Sequence, residues 1–104
     1  VTQIRQEAVP HTTFDHFRVS LANTNATQAT STPTPLTKGV EIKAAAANTA
    51  EVYVGRSDLT TGGTAATDGF PLSAGERLFL PIDDLSKLYL RTGTATQNVL
   101  LLFC

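Results

Sequence analysis

From Gly39 to Phe103 the chain is a succession of short stretches in which apolar and polar residues alternate, separated by Gly-, Asp- and Thr-rich turns. A period of two sends successive side chains to opposite faces of a strand, so this pattern commits the segment to half-buried β-strands. Val40, Ile42 and Ala44 are expected to face a core, with Glu41 and Lys43 on the other side. The same division holds for Val52 and Val54 against Glu51 and Tyr53, and for Leu78, Leu80 and Ile82 against Arg77 and Phe79. Leu88 and Leu90 likewise alternate with Lys87, Tyr89 and Arg91. Val99 to Phe103 is apolar throughout, which predicts burial on both faces, by the core or by another chain. Asn48-Thr49 reads as a hairpin connection. Pro81 cannot donate to a ladder and predicts an edge strand or a bulge. About six strands with closely spaced turns imply an all-β fold, a single small antiparallel β-sandwich or jelly-roll-like barrel.

Residues 1–36 read differently, as an extended N-terminal arm and linker ahead of a β domain at 37–104. TQIRQEAV offers one helical turn with Ile4 and Ala8 on one face, too short to hold alone, and Pro10 ends it. Phe17, Val19 and Leu21 alternate with Arg18 and Ser20 in a strand pattern. Ala22 to Pro35, ANTNATQATSTPTP, is polar and Pro-punctuated and reads as a linker or extended strap. Gly55 to Phe70 is a long loop with turn chemistry at Gly62-Gly63 and Asp68-Gly69, and loops of this length commonly bind something or move.

Composition narrows the function classes. A chain of 104 residues makes one domain with a modest core. With a net charge of −1 and only 16% charged residues, it carries no footprint for nucleic acid or an anionic membrane. No apolar run reaches the length of a membrane span. The first thirty residues hold no apolar stretch behind a basic start, so synthesis in a cytoplasm is expected. Cys104 stands alone and reads as a reduced, incidental thiol.

Reactive groups do not converge in the sequence. His11 and His16 bracket Phe14-Asp15, but the spacing matches no zinc pattern, and on a strand the two imidazoles point to opposite faces. Asp83 and Asp84 are adjacent, and adjacent strand side chains diverge. Ser73 and Ser86 have no histidine nearby to activate them. Asp58 and Asp68 offer too few carboxylates for a calcium loop and read as turn residues. No catalytic residue, metal site or cofactor is expected.

The aromatic residues carry the sharper reading. Tyr53, Phe79 and Tyr89 all fall opposite the inferred core positions of their strands, with Leu100 and Leu102 as neighbours. Exposed together they would form an apolar self-association interface. Alternatively the rings are core after all, or the tyrosines stack on sugars.

The block GVEIKA followed by VYVG, the DGFPLSAGE turn, and PIDDLSKLYL before a closing apolar strand resembles small virion structural proteins of tailed bacteriophages, of the kind that decorate or cement the head. The likeness covers about two-thirds of the chain. It implies a β domain on the outer surface of the phage head, made in the host cytoplasm, that bridges neighbouring capsomers. Its partner would be the major capsid protein, and copies would associate as trimers at local three-fold axes or dimers at two-folds. In that reading Ile4, Val9, Phe14 and Phe17 anchor the arm on the capsid. The alternatives are a virion appendage binding host-surface glycan through Tyr53 or Tyr89, or a component joining head and tail.

Overall fold

The computed structural model describes residues 15–61 and 68–104. Within them the alternating stretches become eight strands: β1 (Asp15–Leu21), β2 (Thr27–Gln28), β3 (Val40–Ala44), β4 (Val52–Gly55), β5 (Phe70–Leu72), β6 (Arg77–Leu80), β7 (Tyr89–Thr92) and β8 (Gln97–Phe103). A single 3₁₀ turn, Leu85–Lys87, interrupts them among the described residues. The strands form two antiparallel sheets of four, in the orders β1-β8-β3-β6 and β2-β7-β4-β5. The first four strands thus pair with the last four in reverse order, β1 with β8, β2 with β7, β3 with β6 and β4 with β5. Two further pairings, β3 with β8 and β4 with β7, close each sheet.

One hydrophobic core joins the inner faces. Val19, Leu21, Val40, Ile42, Ala44, Val99, Leu101 and Phe103 come from the first sheet; Val52, Val54, Leu72 and Leu90 come from the second. Each fully buried Leu, Val or Ile in such a core contributes about 1.5–3 kcal/mol relative to exposure. The inward sets are those expected from the alternation. Phe17 belongs to them: it is half-buried against the core, with its ring edge-on to Phe103 at a centroid distance of 5.6 Å. Pro81 lies just beyond β6, which ends at Leu80 and is an edge strand, so its missing N–H breaks no ladder bond.

Three expectations change. First, β3 and β4 lie in different sheets, so Asn48-Thr49 is a crossover and not a hairpin turn. Its polar groups find partners in β8. The Asn48 side chain donates to Asn98 O at 2.8 Å and accepts from Asn98 N at 2.9 Å, imitating one rung of a ladder. Gln97, fully buried, accepts from Thr49 N and Ala50 N at 2.8 and 3.3 Å, and donates to Thr49 Oγ1 and Thr94 O at 3.0 and 2.9 Å. Second, β8 is not covered on both faces by this chain: Val99, Leu101 and Phe103 are buried while Leu100 and Leu102 look outward. Third, residues 15–36 are built into the sandwich. β1 is hydrogen-bonded along the whole of β8, and Leu21, Ala29 and Leu36 are core residues.

The polar strap from residue 22 to 35 is tied down by backbone bonds that composition does not reveal. Ala29 N donates to Leu88 O, Leu36 N to Asp83 O, and Leu85 N to Thr34 O, all at 2.8–3.0 Å. Asp84 gathers the remainder, since its carboxylate accepts from Thr34 N, Ser86 N and Ser86 Oγ at 3.0, 2.9 and 2.8 Å. The backbone donors of Thr34 and Ser86 hold its pKa below the ordinary carboxylate value.

Two outcomes are expected. Gln97→Ala removes the partner of two backbone donors and two acceptors, and should cost about 2–4 kcal/mol in urea denaturation. Asp84 binds its proton less readily folded than unfolded, so its stabilisation is complete above about pH 4–5 and fades as pH falls through the lowered value. Thermal melts between pH 2 and 6 should therefore show a smaller acid-induced drop for Asp84→Asn than for the wild type.

Candidate functional site

The outer face of the first sheet carries three of the four exposed large hydrophobic side chains among the described residues. Register assembles it from four strands. His16, Leu102, Glu41 and Phe79 form one row across β1, β8, β3 and β6; Arg18, Leu100, Lys43 and Arg77 form the row beside it. Phe79 is 54% exposed, and Leu100 and Leu102 are each 41% exposed. Between them the sheet twists into shallow grooves. One of about 360 Å³ is lined by His16, Arg18, Glu41, Lys43, Leu100 and Leu102. A second of about 260 Å³ lies between Phe79, Glu41 and Leu102 and reaches Gly39 and Cys104. Gly39 has φ +131°, and a Cβ there would lie 2.8 Å from Pro81 Cα, so this corner of the groove admits only glycine.

The electrostatics of this face are lopsided. Arg18, Lys43 and Arg77 make no ion pair among the described residues, and Glu41 is the one carboxylate in the two rows. The ion pairs found in the structure lie elsewhere, Arg56 with Asp58 and Lys87 with Asp83, each at 2.7 Å. The Lys87 ammonium lowers the Asp83 pKa, and Asp83 in turn raises that of Lys87.

The five residues expected to share one interface divide between opposite faces. Phe79, Leu100 and Leu102 are on the first sheet, whereas Tyr53 and Tyr89 are half-buried on the outside of the second. Alternation assigns a side chain to the inner or outer side of its own strand but does not say which sheet that strand joins. Tyr53 donates to Glu51 Oε1 at 3.3 Å; partial burial, with Glu51 and Asp68 adding, pushes its phenol above the usual tyrosine value. The loop after β4 folds back over this second face. Leu59, 1% exposed, rests on Gly55 and Gly69, while Arg91 donates to Leu59 O at 2.9 Å and Thr24 O at 2.8 Å. One guanidinium thus staples two loops to the sheet. Asp58 and Asp68 serve the same loop, through Arg56 and through Thr60 Oγ1.

Ile4, Val9 and Phe14, expected as anchors of the arm, lie outside the described residues, as do His11 and Gly62-Gly63. Phe17, the fourth anchor, faces the core. His16 is exposed on the outer face of β1. No three His, Cys, Asp or Glu side chains come together as metal ligands among the described residues. A feature missed in the sequence is an apolar cleft of about 370 Å³ where β6 and β4–β5 part, lined by Val54, Phe70, Leu78, Leu80, Ile82 and Leu88. Phe70, 56% exposed, stands at its mouth, and short β5 gave too little alternation to single it out. The alignment of Arg18, Lys43 and Arg77 was also invisible, because it depends on register between strands distant in sequence.

A scan of protein-family models and searches of curated proteins and solved structures find no match to this chain.

The two sides of β8 should respond differently to substitution. Leu100→Thr with Leu102→Thr places β-branched side chains, which suit a strand, on the outward face of β8 and should change stability by less than about 1 kcal/mol. Leu101→Ala opens a cavity in the core and should cost about 2–5 kcal/mol by the same denaturant titration.

Proposed function

We propose that this chain is a decoration, or cement, protein of a tailed-phage head, attached to the outside of the shell through the outer face of its first sheet. The observation that carries the reading is that face itself: a β-sheet surface on which Phe79, Leu100 and Leu102, three of the four exposed large hydrophobic side chains described, stand on neighbouring strands. Monomeric domains seldom leave contiguous apolar surface without a partner for it. The resemblance of GVEIKA, VYVG, DGFPLSAGE and PIDDLSKLYL to small virion proteins points to the shell as that partner.

The strand order supports a jelly-roll reading of the sandwich. A ribbon in which the first four strands pair with the last four in reverse, then wrap into two facing sheets, is the way eight strands make that fold. Jelly rolls serve as viral capsid and lectin domains, so the architecture suits a virion component without singling one out. The mechanism needs no chemistry. A protein that binds the assembled lattice and not its dissociated subunits shifts the equilibrium towards the closed shell, by about 2.7 kcal/mol per site when present at a hundredfold over its Kd.

Co-sedimentation with heads prepared without this chain tests the reading. Saturable binding that raises the melting temperature of the heads is expected, and Leu100→Thr with Leu102→Thr should weaken it while leaving the fold intact. Absence of binding at micromolar concentration, with a selective signal on a glycan array, would replace it by a host-surface role for the tyrosine face.

A further inference from the structure

Three of the chain's eight Lys and Arg residues stand in one row of one sheet face, with a leucine among them. Adjacent strands are about 4.8 Å apart, so Arg18, Lys43 and Arg77 span roughly 14 Å across the four strands. Lys43 and Arg77 are directly opposite each other on β3 and β6. Like charges in that position weaken a sheet, and here no carboxylate of the described residues comes within ion-pair distance of them; Glu41, in the next row, is the nearest by register. Of the other four described Lys and Arg residues, Arg56 and Lys87 are in ion pairs and Arg91 donates to two carbonyl oxygens, while Lys38 is exposed away from this row. The row forms no ion pair within the described chain, and it gives a net positive face to a protein whose overall charge is −1.

We propose that this face recognises an acidic protein surface with an apolar centre. On the decoration reading, upon which the identity of the partner rests, that surface belongs to the outside of the shell. The stems of Arg18 and Lys43 flank Leu100, so Leu100 and Leu102 would form a small dry centre, with Phe79 beyond Glu41 at the sheet edge and the cationic row set along one side to meet carboxylates. A second copy is the wrong occupant. An isologous contact through this face would set two cationic rows together with only Glu41 from each copy to offset them. Single-stranded nucleic acid fits less well, because aliphatic leucines lie where a stacking platform needs aromatic rings.

The test compares the wild type with Arg18→Gln/Lys43→Gln/Arg77→Gln, whose urea midpoint should equal or exceed the wild type's because a repulsion is removed. Binding to heads lacking the chain is measured at 50 and 500 mM NaCl, beside retention on immobilised polyglutamate and on oligothymidine. The wild type should bind heads and polyglutamate in a salt-dependent way, and the triple variant should lose about 30-fold or more at low salt. Equal binding by the variant would overturn the proposal while leaving the decoration reading in place. Binding of the wild type to polyglutamate but not to heads would keep the acidic partner and remove the shell as its source. Preference for oligothymidine, or dimerisation abolished by Leu102→Asp, would overturn it outright.

Discussion

The structure depends on the register of β8. This strand is central in its sheet, hydrogen-bonded to β1 on one side and β3 on the other, and it sends Val99, Leu101 and Phe103 inward. A slip of one residue would turn those three outward and bring Leu100, Leu102 and Asn98 into the core. Because the core accepts only one of these arrangements, the same constraint sets the outer rows. Arg18 and Lys43 fall on either side of Leu100, and His16 and Glu41 on either side of Leu102, since Phe17, Leu101 and Ile42 must meet inside. A binding face that looks like surface decoration is therefore specified from within.

Polar groups guard the places where the ribbon changes sheet. Gln97 opens β8, and its amide satisfies the crossover at Thr49 and Ala50. Asp84 closes the strap on the far side through Thr34 and Ser86. Arg91 holds down the loop over the second sheet. Each joins segments far apart in the chain, and each satisfies backbone donors or acceptors that a connection between layers would otherwise leave without partners. With one cysteine and a low charge content, the domain relies on these bonds and on its core, not on disulfides or ion-pair networks.

An open apolar sheet face and a cationic row have opposite consequences in solution. The leucines and Phe79 favour association, while Arg18, Lys43 and Arg77 oppose contact between identical copies. Together they favour a partner of complementary charge over a second copy. The apolar cleft beside β6 lacks that protection, and Phe70 at its mouth is the most exposed large hydrophobic side chain described.

Alternation alone settled the β class and the inward residues of β3, β4, β6 and β7. These are local properties: a strand has two faces, and the core takes the apolar one. What alternation could not settle is which strands share a sheet. Asn48-Thr49 has the chemistry of a hairpin and yet joins two layers; Leu21, Ala29 and Leu36 sit in or beside a polar stretch and yet reach the core; Tyr53 and Phe79 carry the same outward signature on opposite faces. Sheet membership is decided by pairings between residues up to about ninety positions apart, such as Asp15 with Phe103, through hydrogen bonds every sequence can make. Only the tertiary structure selects among them, because only there does the core test which combination buries its apolar side chains together.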